Sequence, residues 1–316
     1  MLTDTLRSAA GRVYWASPHF LSHVRGKVVI LMYHRVVPLD EVASTYVQPG
    51  TYVTPETFER HLQFLAAHFE LLTFPELLAK WDAGDWNQAS RYCAVTFDDG
   101  WIDNYQYGYP LLRRYGVPAT IFLPTGLIGS TARLWPDRLG DLLRARRRGT
   151  PDEWNVQIER AKRLSDDERE DLLGTIAAEV GGETPARRRF VNWDEVAEMS
   201  RHRIGFGSHS CSHANLTRLS GAALERELRE PLETLRRREV NHVPVLAYPN
   251  GDHSGAVVDA ARAAGYQAAV TVRRGLESFV AADRFRLRRI GVHEDVSRSV
   301  PTLALHIGRQ SRAAEP

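Results

Sequence analysis

The sequence predicts an α/β fold in which a parallel sheet, open or closed into a barrel, is covered by helices. Short apolar runs, most of them rich in β-branched or aromatic residues, indicate buried strands. These runs are Val28–Met32, Cys93–Phe97, Pro118–Leu123, Ile204–Gly207, Val245–Tyr248 and Ala268–Val272. Longer amphipathic segments stand between them, and this alternation is typical of a parallel sheet.

The helical segments carry recognisable start and stop signals. A Thr-Pro pair at positions 54 and 55 supplies an N-cap and a first helical residue. Apolar residues then recur at helical spacing, at Phe58, Leu62, Leu65 and Phe69. Asn104–Tyr115 and Ser254–Ala264 are each followed by a glycine, which helix C-termini prefer. We expect a further helix, Ala222–Arg238, to kink or split at Pro231.

Three segments stand apart from the strand–helix alternation. Residues 131–190 are charged and helical in pattern, and we interpret them as a helical insertion in a domain spanning residues 27–307. Residues 1–26 predict an N-terminal helical segment that docks on the protein, with a membrane surface as the alternative. Residues 308–316 predict a disordered tail.

The balance of charge argues against nucleic acid as a partner. Lys and Arg total 41 against 39 Asp and Glu, a formal net charge of +2. Arginines do cluster at Arg146–Arg148, Arg187–Arg189 and Arg236–Arg238. We interpret these clusters as solvated faces, and contact with anionic lipid or a phosphorylated substrate carrier is the alternative.

Neither an export signal nor a membrane span is visible in the sequence. The first 25 residues contain arginines and histidines and lack a continuous apolar stretch. No window approaches the roughly 18 apolar residues of a membrane span. The two cysteines, Cys93 and Cys211, match no zinc or redox spacing. We expect a cytoplasmic protein, or one peripheral to the inner face of a membrane.

Paired carboxylates follow the second predicted strand. Asp98 and Asp99 end an apolar run and precede Gly100. Two adjacent acids disfavour each other's ionised forms, so a bound cation is a usual compensation. The carboxyl edge of a parallel sheet is also where ligands bind. An Asp-Gly turn that caps a helix is the structural alternative.

Two histidines follow the fourth predicted strand. If the chain turns helical there, His209 and His213 lie at positions i and i+4 on one face. Together with Asp99 they would form a two-histidine, one-carboxylate set that leaves open positions for water and substrate. The sequence therefore predicts a catalytic rather than a structural metal site.

These motifs carry a family resemblance. The run Thr96–Gly100, the His209/His213 pair and the run Tyr248–Gly251 resemble the first three motifs of the polysaccharide deacetylases, the NodB-homology enzymes of carbohydrate esterase family 4. The resemblance covers roughly residues 27–292. It implies a distorted (β/α) barrel of about seven strands. It also implies Asp98 as general base and Asp99, His209 and His213 as metal ligands, with Tyr248, Pro249 and Asn250 contacting substrate or oxyanion.

A histidine at the end of the first predicted strand is the candidate acid. The stretch Leu31–Val36 resembles the Tyr-His-x-Val element of a circularly permuted subgroup that acts on poly-N-acetylglucosamine. In that subgroup the acid precedes the paired aspartates, which implies His34 in this role. A structural histidine paired with a carboxylate is the alternative role for His34, and His293 is the rival acid.

The sequence also departs from the family pattern. Many relatives have an arginine that orients the base where this chain has Ala247, and a tyrosine where it has Asn250. The backbone N–H of Asn250 can still serve an oxyanion. The fourth motif of the family is not found. These gaps motivate a sugar-binding pseudoenzyme as the alternative function, and a metal-dependent hydrolase of a different C–N bond is another.

The expected reaction is metal-dependent removal of the N-acetyl group from an amino sugar, with release of acetate. The expected cofactor is one divalent ion, zinc in the first place, with cobalt, nickel, iron or manganese as alternatives. The expected partner is an N-acetylated glycan or glycan precursor. The oligomeric state is not predicted.

Overall fold

The computed structural model describes residues 4–17, 19–183, 187–280 and 283–310. Its strands are β1 (Lys27–Tyr33), β2 (Arg35–Val36), β3 (Tyr52–Val53), β4 (Glu70–Leu71), β5 (Tyr92–Phe97), β6 (Ala119–Leu123), β7 (Ile204–Ser208), β8 (His242–Ala247), β9 (Ala268–Val270), β10 (Glu277–Ser278) and β11 (Ile290–Gly291). Its α-helices are α1 (Asp4–Ala16), α2 (His19–His23), α3 (Leu39–Ser44), α4 (Pro55–His68), α5 (Phe74–Ala83), α6 (Tyr109–Tyr115), α7 (Trp135–Ala145), α8 (Pro151–Ala161), α9 (Asp166–Val180), α10 (Trp193–Ser200), α11 (Gly221–Arg237), α12 (Gly255–Ala264), α13 (Glu294–Ser297) and α14 (Val300–Gln310).

A curled sheet forms the centre of the molecule. Its order is β10-β1-β5-β6-β7-β8-β9, with β11 beside β1 and β4 beside β5. Neighbours from β1 to β9 are all parallel. The strands β1, β5, β6 and β7 are almost entirely buried, which explains why they are continuous apolar runs rather than alternating ones.

The segment around β11 links the two ends of this sheet. Leu287 forms a parallel bridge with Val270, at the end of β9. A few residues later Ile290 pairs in parallel with Leu31 of β1. The sheet is therefore wrapped into a distorted barrel, and the predicted fold class is confirmed.

The predicted strands and most helix boundaries are found within a few residues. Helix α12 is capped by Ser254 and ends at Gly265, whose φ is 101°. Asn104–Gly108 forms a π-helical turn that leads into α6. Of the two alternatives for Pro231, a kink or a split, the split is wrong, since α11 runs through the proline. Buried leucines lie on both sides of this proline and hold the two halves against the barrel.

The segment 131–190 contains α7, α8 and α9. These helices pack around a cluster of their own, which includes Leu142, Trp154 and Leu173, together with Tyr46 from the loop after α3. Thr150 and Ser165 form capping boxes at the starts of α8 and α9. The helical insertion therefore has its own small core, which also contains Tyr46 from the loop after α3.

The two ends of the chain pack on each other. Gly308 in α14 comes so close to Tyr14 in α1 that a Cβ there would be 2.2 Å from the tyrosine oxygen. The tail was predicted to begin at 308, but α14 continues to Gln310 because this contact with α1 orders it. Residues 311–316 lie outside the described residues. No helix in the described ranges is long and apolar enough to cross a membrane.

Candidate active site

The carboxyl ends of the barrel strands surround a cavity of about 320 Å³. Most of the residues singled out in the sequence line it: His34, Asp98, Asp99, His209, His213, Tyr248 and Asn250. They follow β1, β5, β7 and β8, whose carboxyl ends share one rim because the strands are parallel. Pro249, which is buried, does not line this cavity.

Asp99 lies at the centre of the candidate metal site. Its φ is 71°, a left-handed conformation that few residues other than glycine adopt. One carboxylate oxygen accepts a hydrogen bond from Trp101 Nε1 at 2.9 Å. The other, Oδ1, is 3.3 Å from Nε2 of both His209 and His213. The ligand atoms of the three residues lie within 4.8 Å of one another.

The two histidines do not lie on a helix, so that part of the prediction is wrong. The chain after β7 is an irregular loop in which Ser210 and His213 have φ of 62°. The buried Glu227 carboxylate of α11 accepts the N–H groups of Cys211 and Ser212. Because this carboxylate fixes the loop, both imidazoles reach Asp99 without a helical turn.

The hydrogen bonds of the site fit a bound cation. His209 Nδ1 is 2.8 Å from the carbonyl of Ala247, so it must donate, and Nε2 presents its lone pair to Asp99. Lone pairs that converge at this distance repel each other unless a proton or a metal lies between them. Burial acts to raise the pKa of Asp99 and to lower that of His209. The contacts between Asp99 and the two histidines outweigh burial, so the pKa of Asp99 is well below its usual range and that of His209 is raised.

The second carboxylate, Asp98, is held by an arginine that the sequence interpretation missed. Arg289 is fully buried, and its two terminal nitrogens each donate to one Asp98 oxygen at 2.7 Å. Arg289 also donates to the carbonyl of Thr271 at 2.9 Å and to the hydroxyl of Thr96 at 3.2 Å. Burial alone would raise the pKa of Asp98, but Arg289 outweighs it and keeps the pKa lowered.

Arg289 comes from the closing segment of the barrel rather than from the third motif. Ala247, at the position where many relatives have arginine, is buried in the sheet. The available signal was the adjacent pair Arg288 and Arg289 in the run from Leu287 to Val292, whose other residues are apolar. An arginine at an inward position of a buried strand needs a carboxylate partner.

His34 follows β1 and lines the cavity, and its carbonyl accepts a hydrogen bond from Asn104 at 2.8 Å. Burial lowers the pKa of His34 below its usual range, although Asp99 and Asp98 both act to raise it. The two carboxylates therefore do not offset burial, although a general acid at this position must be protonated. The rival His293 does not line the cavity, and its Nδ1 is 3.2 Å from Asp295.

The segment after β8 forms another wall. The Tyr248 hydroxyl donates to the carbonyl of Phe285 at 3.1 Å, which fixes the ring against the cavity. Asn250 has φ of 58°, and its side chain is exposed. Its backbone N–H donates to no acceptor within the described residues, so it is free to meet a substrate oxygen.

The helical insertion also reaches the cavity, which the sequence did not predict. Pro136 and Asp137 of α7 line it, as does Lys162 after α8. Burial raises the pKa of Asp137 to about 6 even though Arg189 lies 3.4 Å away. The insertion therefore contributes a titratable carboxylate to the cavity wall.

The fold and this cavity define an α/β barrel with a candidate metal centre at the carboxyl rim. A family model described as polysaccharide deacetylase matches residues 86–269. That match covers more than half of the chain, and the chain belongs to the polysaccharide deacetylase family.

Curated relatives agree with this assignment. A putative polysaccharide deacetylase of Bacillus subtilis, YxkH, is 22% identical over 80% of this chain and 67% of its own length. A poly-beta-1,6-N-acetyl-D-glucosamine N-deacetylase of Staphylococcus epidermidis is 33% identical, but over only 35% of this chain and 40% of the relative. The second alignment therefore leaves most of that relative unmatched.

Solved structures show the same fold. The Streptococcus pyogenes deacetylase PplD, in complex with acetate, superposes with a TM-score of 0.62 at 22% identity, over 89% of this chain and 98% of that one. IcaB from Ammonifex degensii gives a TM-score of 0.60 at 17% identity, over 88% and 97% of the two chains. At these identities the likeness concerns the fold.

Proposed function

We propose that this protein hydrolyses the N-acetyl group of an N-acetylated amino sugar in a glycan or glycan precursor, with a divalent metal ion, and releases acetate. The observation that carries the proposal is that two adjacent carboxylates in one cavity have different partners. Asp99 faces two imidazole lone pairs, whereas Asp98 faces a buried guanidinium. One carboxylate is thereby suited to bind a cation and the other to accept a proton.

Asp99, His209 and His213 would hold the metal. When bound, a divalent ion polarises the acetyl carbonyl and lowers the pKa of water towards neutrality. Two imidazoles and one carboxylate favour zinc, with cobalt, nickel, iron or manganese as alternatives.

The remaining steps belong to side chains and backbone groups of the chain. Asp98, kept ionised by Arg289, takes a proton from the attacking water. The N–H of Asn250 donates to the oxyanion that develops on the acetyl carbonyl. His34 must first take up a proton from solvent, since burial lowers its pKa. It then gives this proton to the sugar nitrogen, the C–N bond breaks, and acetate leaves with the oxygen from water.

The Asp98–Arg289 pair also weighs against a pseudoenzyme. The absence of an arginine at position 247 and of the fourth motif was the sequence argument for lost turnover. Arg289 supplies the contact missing at position 247 from the segment before β11, fully buried and at hydrogen-bonding distance. A chain that had only kept a sugar-binding surface would have no need of a buried ion pair in its cavity.

The test is acetate release from a panel of N-acetylated sugars, with and without a chelator. We expect release from N-acetylglucosamine oligomers, its loss with the chelator, and its return when the divalent ion is restored. The panel should include cyclic ureides and N-formylated sugars. Release of another acid or amine in place of acetate would assign a different C–N bond, and release that survives chelation would refute the metal.

A further inference from the structure

A second cavity, of about 670 Å³, lies between the helical insertion and the loop after α3. We call it the arginine cleft, after the four arginines that line it: Arg144, Arg147, Arg187 and Arg189. Tyr46, Gly149 and Trp154 complete much of its wall. The cleft joins two of the three arginine clusters noted in the sequence.

The positive charge of the cleft is not neutralised from within. Asp141 is the one carboxylate lining it among the described residues, and it already pairs with Arg133 and Arg189. Arg147 and Arg187 are exposed and have no carboxylate within ion-pair distance in the part of the chain described. Guanidinium groups gathered around one cavity repel each other, so an anion there would be favoured.

Two buried donors in the cleft lack hydrogen-bond partners among the described residues. Within that part of the chain nothing pairs with the hydroxyl of Tyr46, which is 2% exposed, or with Nε of Arg189, which is 9% exposed. A buried donor without an acceptor destabilises the folded chain. Such donors are normally satisfied by a ligand or water.

The cleft and the active-site cavity have a common neighbouring cavity. An intervening cavity of about 400 Å³ shares Tyr46, Arg187 and Arg189 with the cleft. The same intervening cavity shares Arg35 with the active site. Arg189 also contacts Asp137, which lines the active site. A substrate that reaches both would pass this intervening cavity, whose wall also includes Glu41 and Asp103.

We propose that the arginine cleft binds the phosphate or pyrophosphate group of a substrate whose N-acetyl sugar occupies the active site. Guanidinium groups bind phosphate oxygens through paired, charge-assisted hydrogen bonds. The substrate class is then a sugar linked through a phosphate ester, either soluble or attached to a lipid. This inference rests on the proposed deacetylation, and it names the substrate's anionic part.

The kinetic test compares a charged and a neutral substrate in the full-length chain. The probes are UDP-N-acetylglucosamine and N,N′-diacetylchitobiose, with acetate release as the readout. In the Arg147→Gln/Arg187→Gln variant we expect KM for the charged substrate to rise about tenfold or more, the loss of one or two charge-assisted hydrogen bonds. Its kcat, and both constants for the neutral substrate, should stay unchanged.

The matched control is Arg226→Gln/Arg236→Gln, which removes two exposed arginines from α11, outside the cleft. It should change neither substrate's KM. An equal loss on both substrates in the cleft variant would overturn the proposal, because it would show damage to the fold or to the active site.

A vesicle arm identifies the source of the phosphate. If the phosphate belongs to a lipid, the chain should sediment with phosphatidylglycerol vesicles but not with phosphatidylcholine vesicles, and the cleft variant should lose this binding. Loss confined to UDP-N-acetylglucosamine kinetics assigns a soluble phosphate instead. If the cleft variant changes neither measurement, the proposal is wrong.

A calorimetric titration with inorganic pyrophosphate separates the cleft from the chemistry. Should no N-acetylated sugar release acetate, the deacetylation proposal fails by itself. Pyrophosphate binding that is lost in the cleft variant, and kept in the control, would still support an anion site. Absence of pyrophosphate binding to the unmodified chain would refute it.

Discussion

Two buried arginines hold carboxylates that line the same active-site cavity, one in the barrel and one in the helical insertion. In the barrel, Arg289 and Asp98 have side-chain exposures of 0% and 3%. In the insertion, Arg189 and Asp137 have 10% and 9%. The pairs are similar in burial and chemistry, yet the pKa of Asp98 is lowered and that of Asp137 is raised to about 6.

The difference lies in how many hydrogen bonds each carboxylate receives. Arg289 gives Asp98 two contacts of 2.7 Å. Arg189 donates one hydrogen bond of 3.4 Å to Asp137, and its other terminal nitrogen donates to Asp141. Burial raises both pKa values, and the carboxylates of Asp141 and Asp99 raise that of Asp137 further. At Asp98 the two contacts from Arg289 outweigh burial. The barrel thus keeps a carboxylate ionised, whereas the insertion leaves one that titrates near neutrality.

The largest effect should come from removing the barrel carboxylate. We expect Asp98→Asn to lower kcat by about 10³-fold or more, since general bases contribute about 10²–10⁴-fold, while metal content is unchanged. The comparison variant Asp137→Asn should retain kcat within about tenfold. Acetate release and elemental analysis check both, and near-normal turnover in Asp98→Asn would remove it as the base.

Loss of a metal ligand should be the next largest effect. We expect His213→Ala to lose the bound metal and with it the activity, because two ligands no longer hold the ion as tightly. His253→Ala is the control, since His253 stacks on Tyr248 and lies outside the ligand set. Elemental analysis after dialysis measures the metal, and full occupancy in His213→Ala would exclude this residue as a ligand.

Removing the arginine tests the comparison directly. Arg289→Gln should lower kcat/KM by about 10²-fold and move the acid limb of the pH–rate profile to higher pH. The sign follows because the base must be ionised, and without Arg289 burial raises its pKa. Arg189→Gln should leave the acid limb in place. The measurement is kcat/KM from pH 4 to 9. Equal shifts of the acid limb in both variants would contradict the role of the two hydrogen bonds from Arg289 to Asp98.

The smallest expected effect is on the free energy of unfolding, which should rise for a variant in the insertion and fall for the matching variant in the barrel. The pKa of Asp137 is about 6 in the folded chain, against about 3.9 when unfolded, so stability falls as pH rises through this window. Asp137→Asn avoids that loss and should raise the free energy of unfolding by about 2–3 kcal/mol at pH 8, with little gain at pH 4.

The matching variant in the barrel should be destabilised. Asp98→Asn leaves Arg289 buried with a weaker partner, and we expect a loss of about 3 kcal/mol at pH 8. Urea unfolding at the two pH values measures both variants. If Asp137→Asn also loses stability at pH 8, the ionised carboxylate is better compensated than its contacts indicate.

Much of the barrel follows from local sequence. Val28–Met32 and Cys93–Phe97 predicted β1 and β5, since a strand buried on both faces must be a continuous apolar run. The helix after Ser254 was also predicted from local sequence, by an N-cap residue and a glycine just after its last residue. The split at Pro231 failed because packing on either side of the proline outweighed the lost hydrogen bond.

Most residues of the candidate site could be predicted from the sequence, but the backbone conformation and the distant contacts that position them could not. Asp99, His209 and His213 do meet, but through left-handed residues and a loop held by Glu227, not through a helical turn. Arg289 reaches Asp98 across 191 residues of sequence. No local sequence pattern predicts which distant segment will pair with β1 and close the barrel.

The sequence by itself determined most of the strands and helices and most of the polar residues that line the cavity, because apolar runs, caps and paired acids act over a few positions. Only the tertiary structure decided which charges face each other. It placed Arg289 on Asp98, Arg189 between two carboxylates, and the insertion's arginines around an open cleft. Contacts of this kind depend on how the sheet closes and where the insertion docks, and both are set by the packing of the whole chain.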